Sequence, residues 1–267
     1  MEQPKNNFKL VTDKKNARML LPNMLTLIGV CIGLTSIRFA LSGEFHLAII
    51  AIIFAALIDG LDGRIARLIK GTSKVGKELD SLTDMISFGV APAFIMYFWK
   101  LNTFGRFGWL LCLVYVICVA LRLARFNISS NQEPSWKDNF FEGVPSPAGG
   151  ILVLTPLIIS LSGFDYIKIN YDIIVPVFFI ATSFLLISKF PTYSFKKIVI
   201  QRKATIFLLF TIVLFFGLLL IYTFNVIAIS SIIYLSLIPI SFFHYQKMKK
   251  IHENDKIQDE DDLEDVL

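Results

Sequence analysis

Four aspartates set into a largely apolar chain are the residues best suited to chemistry. They occur in Asp59-Gly60-Leu61-Asp62-Gly63-Arg64-Ile65-Ala66-Arg67 and in Asp80-Ser81-Leu82-Thr83-Asp84. The first pair is spaced i, i+3 and the second i, i+4, so each pair shares one face of a helix. Apolar sequence runs up to the first pair from His46 and away from the second to Trp99. A carboxylate at membrane depth costs about 2.5–3.5 kcal/mol on insertion scales. Four of them facing one another in a low-dielectric site also repel strongly. Divalent cations remove that repulsion. Hard oxygen ligands suit Mg²⁺ or Mn²⁺, and substrate phosphates often complete the shell of Mg²⁺. Gly60 and Gly63 weaken a helix, which makes sense where a nucleotide phosphate must approach the backbone. In a plainer reading each Asp snorkels or pairs with Arg64 or Arg67. That suits a single aspartate near a helix end better than four on two facing helices.

The elements that position these residues are expected to be membrane helices. Of the 267 residues 55% are hydrophobic and 13% aromatic, with a mean hydropathy of +0.64, more apolar than a soluble domain requires. Met19–Ile37 and Val144–Gly163 carry no charge, and Ala204–Gln246 is uncharged over a length that holds two spans, turning near Tyr222–Asn225. Eight helices are expected, at about 20–42, 45–69, 79–99, 107–126, 147–163, 172–189, 204–222 and 225–247. The expected fold is all-α, a polytopic membrane bundle. One membrane-embedded domain covers 19–247, between a basic tail, 1–18, and a tail, 248–267, whose acidic run reads as solvated and disordered. The polar, basic start and the lack of a small-residue cleavage site argue for a retained first span.

Basic residues set the expected orientation. The N-terminal tail, the loop after the second helix, the stretches after the fourth and sixth, and the C-terminal tail together hold 22 of the 26 Lys and Arg. Arg38, Lys100, Arg106 and Lys168 fall on the other side. Both tails and the carboxylates are then cytoplasmic, in a multi-pass protein of the cell inner membrane. The net charge of +5 lies beside spans, where it suits membrane lipids of an anionic leaflet and not a nucleic acid. Cys31, Cys112 and Cys118 fall within spans and read as small apolar residues. Tyr97, Trp99 and Trp109 read as interfacial belt residues.

The arrangement Asp59-x2-Asp62-Gly63-x2-Ala66-Arg67-x8-Gly76-x3-Asp80-x3-Asp84 resembles the signature of the CDP-alcohol phosphatidyltransferase family at every fixed position. The resemblance implies a six-helix core, to which two of the eight helices are additions. It also implies a transferase of substituted phosphate groups that moves a phosphatidyl group from CDP-diacylglycerol to an alcohol. On this likeness Asp59, Asp62, Asp80 and Asp84 hold two divalent ions, Mg²⁺ or Mn²⁺, and Asp84 also serves as general base. Gly63, Arg67, Ser73 and Gly76 match the nucleotide site. Asn23 and Thr26, in Pro22-Asn23-Met24-Leu25-Thr26, resemble the start of the family's first span, which borders the CDP group.

Two further segments, Arg122-Leu123-Ala124-Arg125-Phe126-Asn127 and Gly143-Val144-Pro145-Ser146-Pro147-Ala148-Gly149-Gly150, resemble those of bacterial membrane members that use L-serine, giving phosphatidylserine. Val144 and Gly149 stand where many relatives have Leu and Ala. The likeness implies that Arg122, Arg125, Asn127, Pro145 and Ser146 form the acceptor site. Topology anchoring explains either arginine equally well, and Pro145 and Pro147 fix the entry to a helix. Glycerol 3-phosphate and choline remain as alternative acceptors, a homodimer is left open, and a divalent-cation transporter is the remote alternative. Against the last, the carboxylates cluster at one end of two helices, with no internal repeat. Gly71-Thr72-Ser73-Lys74-Val75-Gly76-Lys77 imitates a phosphate-binding loop, but Glu78 follows where Ser or Thr is needed and no strand precedes it.

Overall fold

The computed structural model describes residues 14–69, 73–129, 140–163, 170–193 and 202–264. Its elements are α1 (Lys14–Leu41), α2 (Phe45–Leu68), α3 (Lys74–Asp84), a π-helical turn (Met85–Val90), α4 (Ala91–Trp99), a 3-10 turn (Leu101–Phe104), α5 (Arg106–Ser129), β1 (Phe140–Glu142), α6 (Ser146–Leu161), α7 (Tyr171–Ile187), β2 (Pro191–Tyr193), α8 (Arg202–Ile221) and α9 (Thr223–Glu264). The fold is an all-α bundle. Its one sheet among the described residues is the short antiparallel pair β1–β2, with Phe141 opposite Thr192. Five helical stretches are long and apolar enough to cross a membrane: Leu21–Leu41, Phe45–Leu68, Lys74–Trp99, Arg106–Ile128 and Thr223–Met248. Ser146–Leu161, Tyr171–Ile187 and Thr205–Ile221 are apolar but shorter.

The chain divides into two compact units, Met1–Cys112 and Leu113–Leu267. In the first, α1 and α2 run antiparallel, and α3 continues through the π turn into α4 as one span parallel to α1. The direction follows from the contacts. Gly29 and Gly33 of α1 face Thr83 and Ser87 in ascending order, whereas Thr26 meets Asp62 of α2 and Gly29 meets Ile58. A Cβ on Gly33 would lie 2.6 Å from Ser87 Oγ and 3.1 Å from Ser87 Cα. Small residues at this seam let two backbones approach within membrane depth. At the far end of the span, Trp109 packs edge-on against Tyr97 at 5.4 Å and Phe94 at 5.9 Å between ring centroids. The second unit is built on α6, where Leu152, Val153, Leu154, Leu157 and Ile158 are all buried. A helix apolar all round belongs inside a bundle. Tyr115 of α5 stacks edge-on against Phe179 of α7 at 5.6 Å.

Three boundaries differ from the sequence reading. The third membrane helix begins at Lys74 and not near 79, because Ser73 caps it by accepting the Gly76 N–H at 2.9 Å. The first begins at Lys14, ahead of the expected end of the basic tail. The tail 248–267, expected to be disordered, continues α9 as helix to Glu264. No Gly or Pro interrupts residues 240–264, and a helix already nucleated in the apolar stretch gains one bond per added residue.

Candidate metal and phosphate site

The carboxylates are brought together at one end of α2 and α3. One oxygen each from Asp59, Asp62 and Asp80 lies within 4.8 Å of the others. Asp84 adjoins them, within electrostatic reach of both Asp59 and Asp80. The i, i+3 spacing on α2 and the i, i+4 spacing on α3 thus converge, as helical periodicity requires. Asp62 is 3% exposed and Asp59 and Asp80 are half-buried. The donor set is all oxygen and all anionic, closely spaced and shielded from water, which fits a hard divalent cation.

Thr26 supports the cluster from α1. Its Oγ1 donates to Asp62 Oδ2 at 2.7 Å and also lies 2.9 Å from the Pro22 carbonyl. A hydroxyl bond to a carboxylate is the stronger of these. Thr26 is 4% exposed, and its hydroxyl is directed to a carboxylate of the cluster. Asn23 stands over Gly76, where a Cβ would come within 2.9 Å of Asn23 Oδ1 and 3.1 Å of Ser73 Oγ. A larger residue at 76 would push the Asn23 amide aside. Gly60 and Gly63 are the reverse case, since a Cβ on either meets nothing within 4 Å. Open space beside two backbone positions next to the carboxylates leaves room for a phosphate. Arg67 is exposed beside it, with Nε donating to Gly63 O at 3.0 Å. Immediately after Asp84 the helix changes to i→i+5 bonding, ending with Ala91 N–H to Ile86 O. Such turns are frequent at functional sites, and no pattern of apolar spacing announced this one.

The residues matched to the acceptor site all fall in the second unit. Arg122 is buried, with Nη1 donating to Ser146 Oγ at 2.8 Å. Arg125 donates from Nη1 to Ile187 O at 2.7 Å. That carbonyl is the last of α7 and has no partner within its own helix, so Arg125 caps α7 with a charge of favourable sign. Pro145 precedes α6, and Ser146 opens it with no side chain closing its first turn. Asn127 is half-buried near the end of α5. Gly143 has a φ of +74° and its O accepts from Thr192 Oγ1 at 2.8 Å. The φ is one that glycine adopts without strain. The imitation phosphate-binding loop lies partly outside the described residues, and from Lys74 onward it is helix.

Comparison with known proteins agrees with this geometry. The sequence profile of the CDP-alcohol phosphatidyltransferase family matches residues 19–242. The chain is 43% identical to a Mycobacterium leprae protein over 175 residues, which is 64% of this chain and 57% of that protein. It is 37% identical to a Helicobacter pylori protein over 201 residues, 75% of this chain and 83% of that one. It is 33% identical to a Bacillus subtilis protein over 177 residues, 66% and 92% respectively. Each of the three is called CDP-diacylglycerol–serine O-phosphatidyltransferase.

Proposed function

The chain belongs to the CDP-alcohol phosphatidyltransferase family, and from this premise we infer that it transfers the phosphatidyl group of CDP-diacylglycerol to L-serine, giving phosphatidylserine and CMP. The observation that carries this reading is the convergence of Asp59, Asp62 and Asp80 beside the open backbone at Gly60 and Gly63. Asp59, Asp62, Asp80 and Asp84 would hold two divalent cations, Mg²⁺ or Mn²⁺, which supply charge neutralisation for the pyrophosphate and the departing CMP. Arg67 adds a permanently charged, planar contact to phosphate. The serine hydroxyl attacks the phosphorus that carries diacylglycerol, its bond to the CMP oxygen breaks, and Asp84 takes the hydroxyl proton. The test is CMP release by the purified protein from CDP-diacylglycerol with Mn²⁺ or Mg²⁺ and a panel of alcohols. Release with serine is expected. Release only with glycerol 3-phosphate or choline would overturn the acceptor, and no release with any alcohol would overturn the reading.

Thr26 supplies one prediction. Val keeps its shape but removes the hydroxyl that holds Asp62. Thr26→Val should weaken Mn²⁺ binding by about 10–100-fold, the usual cost of losing an outer-shell partner. Thr26→Ser should bind nearly as well. Electron paramagnetic resonance titration of the purified variants reads both, and unchanged binding in Thr26→Val would show that Asp62 needs no such support.

Orientation supplies another. The positive-inside distribution of Lys and Arg supports a cytoplasmic metal site in the inner membrane, with both tails on the same side. Cysteine at Asn102 should react with a membrane-impermeant thiol reagent in intact cells, and cysteine at Lys74 only after permeabilisation. The opposite pattern would invert the topology.

A further inference from the structure

Three side chains from three elements of the second unit meet at the start of α6. Arg122 of α5 is 8% exposed and Ser146 of α6 is 1% exposed, and they are hydrogen-bonded at 2.8 Å. The Arg122 guanidinium carbon lies 5.9 Å from the centroid of the Phe126 ring, so an aromatic face lines one side. Tyr234 of α9 stands beside Thr192 and within electrostatic reach of Arg122. Thr192 gives its own proton to Gly143 O. The Tyr234 hydroxyl is buried and, apart from its approach to Thr192, has no partner in hydrogen-bonding geometry among the described residues. Folded proteins rarely keep a buried hydroxyl in that state without a use for it.

Resting on the serine reading above, we propose that Tyr234, Arg122 and Ser146 form the seat of the acceptor's carboxylate, with Tyr234 as a specificity-determining residue. Charge decides the ligand class. One guanidinium and two neutral hydroxyls balance a single negative charge. The other arginine of this segment, Arg125, is engaged in capping α7. A phosphorylated acceptor carries nearly two negative charges and calls for further cations, and a choline headgroup would meet the guanidinium with like charge. An amino acid's carboxylate matches both the charge and the donors. Nothing in the sequence marked Tyr234, which lies on a helix read only as apolar.

The test compares L-serine with serinol, which keeps the amino and hydroxymethyl groups and lacks the carboxylate. Wild-type protein should prefer serine, and a wild type indifferent to the two would overturn the proposal at once. Tyr234→Phe keeps the ring and should raise the KM for serine about tenfold, with kcat and the KM for CDP-diacylglycerol little changed. Its preference for serine over serinol should fall by the same factor. Ser146→Ala carries the same expectation and serves if Tyr234→Phe does not fold. A variant that keeps the wild-type serine-to-serinol ratio would overturn this proposal alone. A wild type that releases CMP with glycerol 3-phosphate and not with serine would instead overturn the reading on which it rests.

Discussion

Asp84→Asn should remove transfer to serine while leaving CDP-diacylglycerol binding largely in place. Asn preserves the size of the side chain and one oxygen, but it does not take up the proton that the serine hydroxyl must lose. Positioned proton transfer contributes roughly 10²–10⁴-fold to rate, and a loss of that order is expected. Asp84 adjoins Asp59 and Asp80, so some weakening of cation binding should accompany it. Two assays separate the effects: CDP-lipid affinity at saturating Mn²⁺, and single-turnover transfer to serine. Appreciable single-turnover transfer by this variant would mean that another group accepts the proton.

Asp62→Asn should fail differently, losing cation and CDP-lipid binding together. Asp62 is the most buried of the clustered carboxylates, and Thr26 donates to one of its oxygens. An amide in its place brings no charge to offset a cation and offers one oxygen in place of two. Exhaustive chelation of the wild type should give the same outcome, with CMP release falling to background and returning on addition of Mn²⁺. Full turnover after chelation would end the metal reading. A variant that keeps cation binding but loses lipid binding would move Asp62 out of the metal site and into contact with the nucleotide.

The carboxylate cluster was legible because helical spacing is arithmetic. Asp59 and Asp62, and Asp80 and Asp84, can share faces in only one way, and apolar runs on either side fix the helices that carry them. The support from Thr26 was not legible in the same sense. Thr26 and Asp62 are 36 residues apart, and their meeting depends on how α1 packs against α2. The nearest sequence signal was Gly29 and Gly33, four apart in an apolar helix, the spacing at which membrane helices approach closely. It marks a seam without saying which helix fills it. The start of α3 was missed because Ser73 reads as loop until its hydroxyl is seen to cap Gly76 N–H. Arg125 shows a different limit. Sequence presents it as the equal of Arg122, and only the position of the α7 terminus distinguishes a cap from a buried donor. Tyr234 carried no signal, since an aromatic residue in an apolar helix is the common case.

The π turn between Asp84 and α4 fixes the length of this span as firmly as its composition. An α-helix advances about 100° per residue, and a stretch of i→i+5 bonding accommodates one residue more than regular winding would. The carboxylate-bearing face of α3 and the buried face of α4, which presents Ala91, Ala93, Ile95 and Met96 to the interior, are therefore aligned by residue count. A substitution within Met85–Val90 changes a side chain and leaves that phase intact. Loss or gain of a single residue there would rotate Asp80 and Asp84 by about a quarter turn relative to everything α4 packs against. Among homologous chains this segment should accordingly hold its length, and drift in identity only away from Ser87, which faces Gly33 across the seam with α1.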